Sequence, residues 1–203
     1  VSALLALLAP TVLASCIETG VTQTVEGVTV EEAIYLGQTL TMQAVAAGLT
    51  AVPEADGETP TAGISEQVSF STPCSVSGTV ESSVGFAGQF DGRTGAGDFE
   101  FSLIQSHIDC LIQGYFDGTS ITINGAPSSS ATFVLSMQAG GSYEVNGDIQ
   151  GQFSWLSGAR VSSCPFQIFY GGTGAGLDQL AVFNLQGAVC GIPVVRSVTF
   201  QPA

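Results

Sequence analysis

The chain has 203 residues, 45% of them hydrophobic and only 10% charged. That is enough apolar material for one buried core and too little charge for a disordered acidic tail. Seventeen acidic residues stand against three basic ones, Arg93, Arg160 and Arg196, and the net charge is −14. Without cations to displace counterions the chain is not a nucleic-acid binder, and it has no basic patch for anionic lipid.

Residues 1–13 (VSALLALLAPTVL) are apolar and uncharged, but too short to span a bilayer. They lead into Leu13-Ala14-Ser15-Cys16. Small residues directly before a cysteine, at the end of an apolar run, resemble the lipobox of bacterial lipoproteins. The resemblance covers these four residues and the run before them, and nothing further along the chain. It implies that residues 1–15 are a signal peptide removed before Cys16, and that Cys16 carries lipid. The protein would then be anchored in the cell envelope, at the outer membrane or cell surface. Ile17, standing where an aspartate could follow the cysteine, resembles the outer-membrane default of enteric-type bacteria. Two or more acyl chains on one residue anchor stably. An ordinary secretory signal ending at Ala14-Ser15 and a buried helix are the other readings of the run.

Residues 16–66 read as a tether. Thr29-Val30-Glu31-Glu32 has the pattern of a capping box, with Thr29 as N-cap and Glu32 at the third helical position. A helix is expected near 30–48, with an incomplete apolar face of Ile34, Tyr35, Met42, Val45 and Leu49, ending at Gly48. Residues 50–66 hold two prolines and four acids and read as a linker.

From about residue 67 onward, apolar and polar residues alternate with period two. In 142–155 the odd positions are Tyr143, Val145, Gly147, Ile149, Gly151, Phe153 and Trp155, and the even positions are polar. A two-residue turn at Asn146-Gly147 would mix the faces, so parity predicts one long strand kinked at its glycines. Cys74–Phe90 alternates in the same way, and a three-residue loop at Glu81-Ser82-Ser83 would preserve its parity. Turns are expected at 91–98 (DGRTGAGD), Asp117-Gly118, 124–130 (NGAPSSS), Gly140-Gly141 and 171–178 (GGTGAGLD). The expectation is an antiparallel all-β domain over 67–203: a strongly curved sheet, β-sandwich or (half-)barrel of about nine or ten strands, with the one N-terminal helix outside it.

Cys74, Cys110, Cys164 and Cys190 are an even set in an exported chain, and they imply two disulfides. Sequential neighbours favour Cys74–Cys110 and Cys164–Cys190. Cys190 sits on the less apolar parity of its strand, which suggests a bulge near Gly187.

Candidate chemistry is sparse. His107 and Asp109 share a strand face, but Ser106 points the other way and no nucleophile elbow is present, so catalysis at His107 is not expected. Glu144 and Asp148 sit about 13 Å apart on one polar face, too far for the usual glycosidase pair. Asp91 and Asp98 flank a glycine-rich turn that could hold one Ca²⁺, and no other cofactor is expected. Tyr143, Phe153 and Trp155, with Phe133, form an inward aromatic set. It is either plain core or the lining of a cavity for an apolar ligand. The expected function is a non-enzymatic envelope lipoprotein that binds an unknown protein or plays a structural role. The alternatives are a carrier of an apolar ligand and a carboxylate-based envelope hydrolase.

Overall fold

A computed structural model describes residues 27–52, 62–113, 120–176 and 179–200. The expected signal peptide, Cys16 and the Asp117-Gly118 turn lie outside them. One helix, α1 (Val30–Thr50), precedes eight strands: β1 (Ala62–Pro73), β2 (Ser77–Asp91), β3 (Ala96–Gln113), β4 (Ser120–Met137), β5 (Tyr143–Ser157), β6 (Arg160–Gly174), β7 (Ala181–Val189) and β8 (Ile192–Phe200). The strands pair antiparallel in chain order, β1 to β8, as one curled sheet that stays open between β1 and β8. Of the architectures expected, this is the curved half-barrel, not a two-sheet sandwich.

Alternation builds the inner face. Val84, Phe86 and Phe90 of β2 meet Phe99, Phe101 and Leu103 of β3, then Phe133 and Leu135 of β4, and all are buried. Phe101 and Phe133 stack with ring centroids 4.5 Å apart. The long strand read from parity at 142–155 exists as β5, unbroken at Asn146-Gly147.

The helix forms where expected, and its capping box is complete. The Thr29 hydroxyl accepts from the Glu32 N–H at 3.2 Å, and the Glu32 carboxylate accepts from the Thr29 N–H at 2.8 Å. Its role differs from a tether. α1 is outside the strand ladder but inside the domain, touching β2, β3, β6, β7 and β8. Its buried stripe is Ala33, Leu36, Gly37, Leu40, Thr41, Ala44, Val45, Ala47 and Gly48, at three- and four-residue spacing. Ile34, Tyr35, Met42 and Leu49, the larger residues that suggested the face, flank it half-buried. Small residues on the stripe let the helix backbone lie close to the sheet. At its N-terminus, Arg160 of the β5–β6 hairpin forks onto Glu32 and lies over the Trp155 ring at 5.6 Å.

Three expected turns are not turns. Residues 81–83 lie within β2, 124–130 within β4, and Gly171, Gly172 and Gly174 within β6. Two of these are glycine because rings cover them: a Cβ on Gly174 would lie 2.4 Å from Tyr143, and one on Gly172 would lie 2.6 Å from Phe183, whereas one on Gly171 would lie 2.6 Å from Asn146 Oδ1. The chain before β2 begins its strand at Ala62, inside the segment read as linker.

Both disulfides pair as expected, Cys74–Cys110 with Cα atoms 5.5 Å apart and Cys164–Cys190 at 4.8 Å. Each contributes about 3.5–4 kcal/mol on the chain-entropy reckoning. No bulge occurs at Gly187, because β6–β7 and β7–β8 keep continuous register. Cys190 leaves the strand parity for another reason: Cys190-Gly191 is the two-residue β7–β8 loop, with positive φ at both positions (52° and 79°).

Gly48 tests how tightly the helix is seated. A Cβ there would sit 2.0 Å from the Phe133 ring, whereas one on Gly37 would meet only methyl groups, of Val189 at 3.3 Å, Ile168 at 3.4 Å and Val194 at 3.6 Å. Gly48→Ala is expected to lower stability by about 2 kcal/mol, although alanine is the better helix former by about 1 kcal/mol. Gly37→Ala is expected to be near neutral. Urea midpoints at constant slope measure both.

Candidate functional site

Three places in the domain carry more than apolar packing. The first is the inner aromatic set. Tyr143, Phe153 and Trp155 are all buried in the core with α1 and the other strands. Phe153 packs on Phe166 at 5.5 Å. The Tyr143 hydroxyl, the Trp155 indole N–H and the Tyr170 hydroxyl are buried with no hydrogen-bond partner among the described residues. Burial pushes both tyrosines above the usual phenol range, and Asp148 adds to the rise at Tyr170.

The second is a polar cluster inside the core. His107 is 1% exposed, with Ser128 Oγ 2.5 Å from Nδ1 and Gln43 Oε1 of α1 3.0 Å from Nε2. Ser128 donates to the Gln105 carbonyl at 3.0 Å, Ser129 donates to the Gln105 side-chain oxygen at 3.4 Å, and the Gln105 amide donates to Ser82 at 3.2 Å. Both paired strands shift register here: β3 on either side of His107, and β4 between Asn124 and Ser129. These irregularities turn Ser128 and Ser129 both inward. They also separate the pair that parity placed together. Asp109 takes a left-handed φ of 46° and goes to the exposed face, where its N–H donates to Asn124 Oδ1 at 2.6 Å. A serine does stand against His107, but it is Ser128, from the segment read as a turn.

Proton accounting shows what this cluster does. The Ser128 proton is committed to the Gln105 carbonyl, so Nδ1–H is the donor to Ser128. A neutral ring then needs a donor at Nε2, which the Gln43 amide supplies when its NH₂ faces the ring. No carboxylate joins these hydrogen bonds, and burial lowers the His107 pKa to about 4. The imidazole is thus a neutral tie between helix and sheet. It is sealed from the surface.

The third is the outer face. Register aligns Gln67, Gly85, Ser102, Thr132, Asp148, Phe169, Gln186 and Val195 in one row across all eight strands. The adjacent row runs through Glu100, Val134, Asn146, Gly171, Asn184 and Ser197. Over β1–β5 these rows floor a groove of about 870 Å³, and over β5–β8 one of about 510 Å³, with Asn146 in both. Small residues deepen the first. The second exposes Phe169 (54%) among Asn146, Asn184 and Gln186. The sequence reading passed over Phe169 because a lone aromatic on a polar parity has no periodic signal; only register shows what surrounds it.

The acids weighed earlier are distributed over this outer face. Glu144 accepts from the Asn146 amide at 2.7 Å and Asp148 from the Thr132 hydroxyl at 2.9 Å. Asp91 folds into its own turn, accepting from the Arg93 N–H at 3.0 Å; that bond, opposed by some burial, holds its pKa below the usual carboxylate value. Asp98 pairs with Gln89 on the neighbouring strand. Among the described residues, no three histidine, cysteine or acidic side chains gather as metal ligands.

Comparison with known proteins finds no family model, curated protein or solved structure that matches the chain.

The folded His107 pKa lies below its unfolded value of 6.5. The unfolded chain therefore binds the extra proton between pH 6.5 and about 4, and the stability present above that window is lost as pH falls through it. The loss amounts to about 3 kcal/mol. Protonation of the many carboxylates relieves charge repulsion and acts in the opposite sense. The difference between wild type and His107→Gln is therefore the measurement: denaturant stability is expected to diverge below pH 6.5, with the variant flatter.

Proposed function

We propose that the chain is a non-enzymatic protein of the cell envelope, exported and held at the membrane through lipid on Cys16, that binds an extended polar partner across the outer face of its sheet. The observation that carries this reading is the pair of grooves meeting at Asn146. Eight strands at about 4.8 Å spacing make the trough roughly 34 Å across. Its walls offer hydroxyls and carboxamides beside the carboxylates of Glu66, Glu100 and Asp148 and the guanidinium of Arg196, and one bare ring at Phe169 for stacking. Export is supported by the two disulfides, since such bonds form and persist in oxidising compartments. Among the described residues no helix is long and apolar enough to cross a membrane, and the lipid on Cys16 is the anchor in this reading.

A second reading, a carrier of an apolar ligand with a polar end, is favoured by the partnerless Tyr143, Trp155 and Tyr170 polar atoms on the inner wall. Tyr143 and Trp155 stand near opposite ends of β5, so a ligand with one acceptor end would satisfy one of them if α1 moved aside. Native mass spectrometry of protein extracted from its envelope separates the two readings, because only the carrier retains a non-covalent lipid. The same preparation, measured intact under denaturing conditions, reports cleavage before Cys16 and the acyl mass.

The binding reading itself is tested by site-specific photo-crosslinking in intact cells. A probe at Phe169 is expected to give a defined adduct. A probe at Val161, exposed (71%) but away from both grooves, is expected to give none. Equal yields from the two positions would sink the outer-face assignment.

A further inference from the structure

The two free edges of this sheet are treated differently. The β8 edge lies beside α1: Ile34, Tyr35 and Gln38 of the helix share a crevice with 196–199 of β8. β8 also carries Pro193 and Arg196, residues that discourage pairing. Among the described residues β1 carries fewer of these devices: its proline, Pro73, is its last residue, and its middle holds a single charge. It is twelve residues long, none of its side chains is fully buried, and Glu66 is its one charged residue. A long edge of this kind is a template for another strand.

Its backbone phase can be read. The Cys74 N–H donates to the Gly78 carbonyl at 3.0 Å, so even-numbered residues of β1 aim their amides at β2 and odd-numbered ones aim outward. Pro73, which lacks an N–H, falls on the outward set, so it costs no bond to β2.

We propose that β1 is a self-association edge, where two copies of this chain pair β1 against β1, antiparallel about a two-fold axis at Gln67. In that register Gln67 faces Gln67, Ser65 faces Ser69, and Ile64 faces Phe70 of the other copy on the same side of the joined sheet. Centring the axis one residue earlier opposes Glu66 to Glu66. One residue later, Gly63 meets Pro73, which cannot donate. The contact is isologous and closes, because the other edge is occupied by α1. The two Glu66 carboxylates remain diagonal neighbours about 7 Å apart, and each copy carries a charge of −14. Association therefore strengthens with salt, which screens this repulsion.

Sedimentation of the full chain with both disulfides formed tests the proposal. A monomer–dimer equilibrium at micromolar concentration is expected, tightening as salt rises. Gln67→Pro removes an outward N–H and no β1–β2 bond, so it is expected to weaken dimerisation at least tenfold while leaving the thermal midpoint close to wild type. If that variant misfolds, single cysteines read the register. Gln67→Cys lies across the axis from itself, within disulfide reach, and is expected to cross-link on oxidation. Ser71→Cys is separated from its copy by about 27 Å and is expected to stay uncross-linked. A chain monomeric at about 100 μM, growth into open-ended oligomers, or equal cross-linking at 67 and 71 would each overturn the assignment.

Discussion

The burial of one sheet face against α1 is the constraint from which the other features follow. An open eight-stranded ribbon has two faces, and only one of them is apolar here. Curling brings that face around the helix, so that Leu36 and Leu40 are fully enclosed by strands far apart in sequence. The helix must be slim to fit. Its buried stripe alternates leucine with alanine, glycine and threonine, and at Gly48 there is no room for a single methyl group. A sandwich would cover the apolar face with a second sheet. This chain does the same with twenty-one helical residues, and the capping box and the Arg160–Glu32 pair fix where the helix begins.

Period-two alternation was enough to expose the fold class and the length of β5, and chain-order neighbours were enough for both disulfide pairs. It failed wherever a polar residue stood in the inner row. Ser82, Gln105, His107, Ser128 and Ser129 each interrupt an apolar series, and the serines were read as loops. In the structure they are one another's partners: Ser82 is directly opposite Gln105, and Gln105 directly opposite Ser129. A buried polar residue costs little when its neighbour across the ladder is polar too, and that compensation is invisible along a single strand. One signal was available. Ile121, Ile123, Ala131 and Phe133 keep the same parity on both sides of 124–130, which a strand with two extra residues does and a free turn need not do.

The helix was legible in extent and misread in role for a related reason. The face expected from Ile34, Tyr35, Met42, Val45 and Leu49 left out Leu36 and Leu40 as well as the small residues between them. Close approach to a concave sheet reverses that weighting, since alanine and glycine are what permit contact. Residues read as tether therefore belong to the core. Gln43, one of them, closes the polar cluster at His107.

What remains outside the core is unusual in its chemistry. The outer rows carry amides, hydroxyls and scattered acids, with basic side chains so few that acidic repulsion goes largely uncompensated. Such a face resists non-specific association through charge while leaving neutral hydrogen-bonding groups available to a partner that satisfies them. The β1 edge works by the opposite means, offering backbone groups that any strand could meet and relying on Glu66 and net charge to keep wrong pairings weak. Face and edge meet along β1, where Ser65, Glu66 and Gln67 also line the first groove. The inner row alone decides whether the sheet holds its curl, so each surface can change residue by residue without disturbing the packing that presents it.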